Sequence, residues 1–461
     1  MNKVIVIGAG ISGLTAAFYL MRQGCEVEIF EKEDRAGGVI QTIRQDGYLF
    51  EKGPNSFLDN APDTLELCRD LKLENEFLKQ SMHGNDRFVF LDGELHNVPM
   101  GPGGLIKTKL LSGKAKRRLM TEIFRGANRS KEDESLASFV RRRLGDEVLT
   151  NLVTPFVSGV YAGDPEKLSL RGTFPILYDL ERDHGGLVRG VLAKVFKRKK
   201  GADAGKEKPR PKNLCSFIDG METNTQAMTK ALGDRLHLQS PVTAIQPEAE
   251  GGYSITVDGA ADKINAQAVI LAAPAYSAAD MLKPLMPDSA DYLGAIPYNA
   301  LSLVGMGYSR DAIARQCNGF GFLSPRGQAI RILGSIWNSS LFPRRAPGGC
   351  CSFSVFIGGG LDPAAFQLSD DEISVQIKKD LKIAIGAQGE PEIQRIFRWK
   401  QAIPQYPVGH VEQIEALNNQ LTNHPGLHCI GNYLSGVSSN DCIRIAKETA
   451  HRVNGFIRKS A

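Results

Sequence analysis

The stretch Gly8-Ala9-Gly10-Ile11-Ser12-Gly13 combines residue types and a spacing that could hold a dinucleotide. It follows the apolar run Val4–Ile7 and precedes a helical pattern. A strand at 3–7, a helix near 12–22 and a second strand at 26–31 are therefore predicted. Each glycine has a task in that setting: Gly8 permits the tight turn, Gly10 lets backbone approach a pyrophosphate, and Gly13 lets helix and strand pack closely. The amino terminus of the helix, with Ala9, Ile11 and Ser12 around the turn, would then offer unpaired N–H groups and a positive dipole end to phosphate oxygens. Glu31 falls where an acidic residue bonds a ribose hydroxyl. This pattern by itself leaves nicotinamide and flavin dinucleotides open.

The next residues narrow the choice. Glu31-Lys32-Glu33-Asp34-Arg35-Ala36-Gly37-Gly38, continuing to Val39, resembles the extended signature of the amine-oxidase-like flavoproteins. A Gly-Gly pair lets the chain pass close to a pyrophosphate, and Arg35 is expected to balance its charge. The resemblance implies non-covalent FAD. Along its whole length the chain further resembles the protoporphyrinogen oxidase family, in Phe50-Glu51-Lys52-Gly53-Pro54-Asn55-Ser56, Ser158-Gly159-Val160-Tyr161-Ala162-Gly163-Asp164-Pro165 and Gly319-Phe320-Gly321-Phe322-Leu323. Ala402-Ile403-Pro404-Gln405-Tyr406 with Gly409-His410, and then Gly436-Val437-Ser438-Ser439-Asn440-Asp441-Cys442-Ile443, follow in the same order.

What this resemblance implies is oxidation of a porphyrinogen to its porphyrin by six electrons, with molecular oxygen reoxidising the flavin to give hydrogen peroxide. No Ser/His/Asp or paired-carboxylate constellation stands out, which suits hydride transfer from a macrocycle held against a flavin. Besides the glycine turn, the implied cofactor contacts are Glu31, Lys32, Arg35, Gly37, Gly38, Val39, Gly53, Pro54, Asn55, Ser56, Val242, Trp399, Asn432, Val437, Ser438 and Ser439. The implied substrate contacts are Arg87, pairing with a propionate, Gly159 and Gly321, and the apolar Leu323, Ile336 and Phe356 around a pyrrole ring. Taken alone, those three apolar residues read as core and Arg87 as a surface arginine; their place within the matching stretches assigns them to a pocket. Ile336 stands where leucine or valine is usual, and Asp219 where the first glycine of a pair is common. The alternatives are a coproporphyrinogen III oxidase of the same family, an amine-oxidase-like flavoenzyme and a non-catalytic flavin-binding protein. Against an amine oxidase, Gly431-Asn432-Tyr433 lacks the usual tryptophan.

The elements that must position these residues fall into an interleaved order. At 461 residues, with 42% hydrophobic and 23% charged residues, the chain is expected to fold as coupled domains. The fold class is α/β. A Rossmann-like FAD domain is assembled from residues 1–78, 213–275 and 399–461, with a helical substrate and membrane-contact region at 79–212 and a substrate-binding sheet region at 276–398. The segment Lys197–Lys212 reads as a solvated loop. A net charge of +5 does not suggest a nucleic-acid partner. The eight cysteines show no metal-ligand spacing. Lys107, Lys109, Lys114, Lys116, Arg117 and Arg118 cluster with Leu105, Ile106, Leu110, Leu111, Leu119 and Met120, and a second mixed patch runs from Leu187 through Val191 and Leu192 to Lys200. Basic residues around apolar ones suit an anionic membrane surface. With no leader or spanning segment in the sequence, the expected location is the cytoplasm, peripheral on the inner face of the cell membrane, with a homodimer as a possible assembly.

Overall fold

The computed structural model describes residues 3–82, 84–99, 101–128, 130, 132–199 and 213–460. Among these residues, a five-stranded parallel sheet draws its strands from three distant parts of the chain. Its order is Leu236–His237, Glu26–Phe30, Lys3–Ile7, Ala268–Leu271 and Leu427–Cys429. Val4 lies beside both Val27 and Ala268. The unbroken apolar runs follow from burial on both faces, as parallel sheets require. On one face Val4, Val6, Ile29 and Ile270 meet Leu14 and Ala17 of helix Ile11–Arg22, Met228 of helix Glu222–Leu232, and Ala446 and Ala450 of helix Ser439–Ser460. On the other, Ile5, Ile7 and Leu271 pack with Ile245 and Ile255 of a small antiparallel sheet and with helix Ala275–Leu282. The second strand ends at Phe30, so Glu31 stands just beyond it.

A larger seven-stranded sheet runs Ile393–Pro404, Tyr298–Ser309, Cys350–Gly358, Gly334–Trp337, Gly321–Leu323, Arg87–Leu91 and Glu94–Asn97. Residues 87–97 thus form strands, against the helical character expected of 79–212. Arg87-Phe88-Val89-Phe90-Leu91 is a β-favouring run that alternates its aromatic residues onto one face. That face, with Phe88, Phe90, Phe322, Trp337, Phe353, Val355, Val304 and Met306, packs on Ile373, Ile377, Leu381 and Ile385 of helix Asp370–Ile385.

The remainder of the 101–199 region is helical. Leu110 and Leu111 are buried in it, so they do not face lipid as the sequence suggested. Arg118 is also committed, donating to the carbonyl of Arg141 at 2.7 Å. Helix Leu187–Lys199 continues into the stretch expected to be a loop, whose remaining residues 200–212 lie outside the described residues. No helix among the described residues is long and apolar enough to cross a membrane.

An ion pair lies at the centre of this helical region. The side chains of Arg143 and Glu122 are 1% and 0% exposed. Glu122 also accepts the N–H groups of Leu187 and Val188, both at 3.0 Å, at the start of the last helix. Arg143 donates to the carbonyls of Gly126 (2.9 Å) and Gly185 (3.3 Å). Removing Glu122 leaves buried Arg143 with only Glu181, 3.4 Å away, as a carboxylate partner, and breaking a buried pair in this way costs about 3–5 kcal/mol. Glu122→Ala should show that loss in chemical denaturation; a loss below about 1 kcal/mol would mean that the pair is not anchoring the region.

Candidate functional site

The glycine turn leaves the carboxyl end of strand Lys3–Ile7, where parallel α/β sheets place their ligands. Gly8 has φ +98, and its N–H donates to the carbonyl of Phe30 at 2.7 Å. A Cβ on Gly13 would lie 1.8 Å from the carbonyl oxygen of Gly8, so no other residue fits there. Gly10 differs: a Cβ there would meet no protein atom within 4 Å. Helix Ile11–Arg22 starts at Gly10 with no side-chain cap and no acidic residue in its first turn. Its leading N–H groups and positive dipole end are left for an anion.

Two further loops close on this turn. The Oε2 of Glu31 accepts the Ala9 N–H at 2.7 Å and its Oε1 accepts the Glu33 N–H at 3.1 Å. The Gly37 N–H donates to the carbonyl of Ala9 at 2.8 Å, and a Cβ on Gly38 would lie 3.3 Å from Gly10 Cα. Arg35 also has a part within the protein. Its guanidinium donates to the carbonyls of Gly38 (2.7 Å) and Ile40 (2.9 Å) and pairs with Glu222 at 3.3 Å, so it braces the Gly37–Ile40 loop. Lys32, by contrast, is exposed beside Glu33. Val39 remains 45% exposed, an apolar side chain open beside the turn. Gly53 passes so close to Val39 that a Cβ would meet its carbonyl at 2.3 Å, and the half-buried Pro54, Asn55 and Ser56 follow. Trp399 Nε1 donates to the carbonyl of Lys52 at 2.8 Å and holds this second loop to the larger sheet.

Segments distant in sequence complete the setting. The N–H groups of Gln239 and Ser240 donate to the carbonyls of Glu33 (2.9 Å) and Glu31 (2.8 Å), which brings Val242 alongside the end of the second strand. The Asn432–Ser439 stretch leaves the edge strand Leu427–Cys429. Asn432 gives its carbonyl to the Tyr406 hydroxyl, and Val437 packs against the helical region. Ser438 accepts the Asp441 N–H at 3.2 Å, capping the helix that begins at Ser439. Ser12 lies beside the Cys442 thiol, so two helix amino termini lie side by side. The open space at Gly10, the uncapped helix start and the apolar Val39 together fit a dinucleotide with a flat apolar ring, as FAD is. Gly8, Ala9, Gly10, Ile11, Ser12 and Gly13 would hold its pyrophosphate, and the other loops would flank it.

The expected substrate residues gather on the face of the large sheet opposite helix Asp370–Ile385. Arg87, Gly321, Ile336 and Ser354 stand side by side in one row. Val89, Leu323, Gly334 and Phe356 form the next, continued by Leu303 and Phe397. Rows of this kind are roughly 6–7 Å apart. Leu323, Ile336 and Phe356 are only half-buried, unlike the core residues on the other face. Gly321 has an explanation within the sheet, since a Cβ there would lie 2.0 Å from the carbonyl oxygen of Ser335. Gly159 lies against Leu323, where a Cβ would meet Cδ2 at 2.7 Å. Arg87 reaches water at the end of its row. Its guanidinium lies 5.3 Å from the Phe320 ring centroid, and its pKa is lowered by desolvation.

Sequence reasoning missed two neighbours of Gly159. Phe156 and Val160 are exposed apolar residues on the same face of helix Thr154–Tyr161. The i, i+3, i+4 spacing of Phe156, Gly159 and Val160 was the available signal, hidden because apolar residues at that spacing usually face a core.

The model of the family described as flavin containing amine oxidoreductase matches residues 11–454. The chain is 34% identical to chloroplastic protoporphyrinogen oxidase of Oryza sativa subsp. japonica, over 99% of this chain and 89% of the relative. It is 32% identical to coproporphyrinogen III oxidase of Bacillus subtilis (strain 168), over 96% of each. A crystal structure from Exiguobacterium sp. 255-15, provisionally described as a protoporphyrinogen oxidase, superposes with a TM-score of 0.80 at 24% identity over 98% of both chains, which shows the fold.

Gly10 gives the sharpest test of the cradle. Its backbone, φ −71 and ψ 179, accepts any residue, and a Cβ added there meets no protein atom within 4 Å. Gly10→Val should therefore fold and melt like the wild-type apoprotein yet purify colourless. A full flavin complement would show that the pyrophosphate does not lie against this turn.

Proposed function

The chain belongs to the flavin-containing amine oxidoreductase family, and from that premise we propose that it oxidises protoporphyrinogen IX to protoporphyrin IX with molecular oxygen as acceptor. The observation that carries the substrate reading is the two-row face, with one water-accessible arginine at the end of apolar and glycine positions broad enough for a flat macrocycle. FAD, held by the turn from Gly8 to Gly13, would supply the hydride acceptor for this chemistry, with molecular oxygen as the final oxidant: six electrons per macrocycle correspond to three molecules of hydrogen peroxide.

The protein's own part is placement. Leu323, Ile336 and Phe356 offer apolar contact to the pyrrole rings, which favours the macrocycle over water. Gly159 keeps the opposing helix low enough to leave room, and Phe156 and Val160 extend that wall. Arg87 presents a planar guanidinium to a propionate at the rim, which fixes the rotation of the ring in its plane. Holding the reacting carbon in register by several weak contacts and one charged anchor supplies orientation rather than acid–base catalysis.

A second reading, oxidation of coproporphyrinogen III, is favoured by the Bacillus subtilis relative. The two substrates differ in carboxylate count, so an anchoring cation matters to both. The Arg87 anchor makes a specific prediction. A hydrogen bond to a charged group contributes about 1.5–3 kcal/mol, a roughly ten- to hundred-fold effect. Arg87→Ala should raise the Michaelis constant for protoporphyrinogen IX by about that factor while leaving the flavin spectrum unchanged. The dimethyl ester, which offers no anion, should lose much less; equal losses on acid and ester would make Arg87 structural.

Contact with an anionic membrane from the cytoplasmic side, as a monomer or homodimer, is part of the same proposal. Its support is an exposed set formed by Met120, Phe124, Val191 and Leu192 in the same region as Lys114, Lys116 and Arg117. Each basic residue near such a surface contributes about 1 kcal/mol at low salt. Replacing Lys114, Lys116 and Arg117 with Gln should release the protein from anionic vesicles; unchanged co-sedimentation would assign the charges to solvent alone.

A further inference from the structure

We propose that Tyr406 and His410 are positioning residues for the flavin, acting through the two backbone carbonyls that they hold in the Asn432–Ser439 loop. The proposal rests on the FAD reading above and assigns a task to a stretch that the substrate and dinucleotide contacts leave unused. After the edge strand ends at Pro404, the chain turns inward. Tyr406 is fully buried, and its hydroxyl donates to the carbonyl of Asn432. Gly409, at φ +86, turns the chain so that His410 begins the next helix directly over Tyr406. The two rings stack with centroids 4.4 Å apart and planes 6° from parallel.

The polar bonds of the imidazole are settled by its neighbours. Nε2 lies 3.1 Å from the carbonyl oxygen of Leu434, and Nδ1 lies 2.6 Å from the hydroxyl of Tyr292. A carbonyl only accepts, so Nε2 carries the proton and Nδ1 accepts from Tyr292. Burial lowers the pKa of His410 and favours this neutral form. The stacked pair thus supplies one donor each to carbonyls two residues apart in one loop. Between them, Tyr433 is fully buried, which leaves that part of the loop little freedom to follow if a donor is lost.

The same stretch is tied to the wall of the substrate face. Gln405 Nε2 donates to the carbonyl of Tyr161 at 2.8 Å, at the end of the helix that carries Gly159. The Ser169 N–H donates to the carbonyl of Tyr406 at 2.8 Å. Residues 405–410 therefore join the helical region to the loop that flanks the cofactor cradle. They touch neither the glycine turn nor the two-row face in any contact described above, so their effect on the flavin would be indirect.

The test is FAD titration of apoprotein, followed by flavin fluorescence, for wild type, Tyr406→Phe and His410→Phe, with the melting temperature of each apoprotein. Both variants keep a ring in the stack and remove a donor from a loop carbonyl. A loop carbonyl freed from its donor should shift the loop and raise the Kd for FAD roughly ten-fold, with a shifted visible flavin band and a loss of affinity larger than the loss of apoprotein stability. Unchanged FAD affinity in both variants would overturn the proposal. So would a loss of affinity that merely parallels a loss of apoprotein stability, since that is what general packing gives. Wild-type apoprotein that takes up no FAD would overturn the cofactor reading itself, and the proposal with it.

Discussion

Gly13 approaches the carbonyl of Gly8 so closely that a Cβ would sit 1.8 Å from the oxygen. This approach sets how steeply helix Ile11–Arg22 leaves the first strand and where its unpaired N–H groups point. The Ala9 N–H then meets Glu31, and the Ala9 carbonyl receives the Gly37 N–H. From Gly37 the loop runs back across Gly10 to Val39, and Gly53 packs on Val39 in turn. Each step needs the one before it, and at Gly13, Gly38 and Gly53 the approach is so close that a Cβ would press on neighbouring backbone. The space left at Gly10 is a consequence of this chain of close contacts.

The larger sheet divides its work between faces. One is filled with aromatic and β-branched residues against helix Asp370–Ile385, and this packing holds the strands in register. The opposite face can then carry glycine and half-buried apolar residues without loss of order. Because side chains alternate along a strand, a one-residue slip would exchange the faces, moving Trp337 and Phe353 onto the face of Arg87 and Phe356. Stability on one face thus secures the arrangement of the other.

The dinucleotide part of the fold was legible because its signal is local. The glycines, the apolar strand before them and the acid after the second strand lie within 31 residues, and the structure brings them together. The family was legible from motif order along the whole chain. Features set by distant partners were not. Arg35 could not be paired with Glu222, 187 residues away, and Leu110 and Leu111 read as lipid-facing because basic neighbours masked a buried pair. Glu122 and Arg143 meet across 21 residues, and His410 reaches Tyr292 across 118; neither spacing carries a periodic signal.

The central claim is that this chain oxidises a porphyrinogen on the face between Arg87 and Phe356. Aerobic incubation of the purified, FAD-loaded protein with protoporphyrinogen IX and, separately, with coproporphyrinogen III tests it most directly, with porphyrin fluorescence and hydrogen peroxide measured against enzyme-free controls. The account predicts porphyrin formation well above autoxidation, faster from protoporphyrinogen IX, with three equivalents of peroxide for each porphyrin formed. A faster reaction with coproporphyrinogen III would contradict the substrate preference, and fluorescence no faster than the controls for either substrate would contradict the function itself.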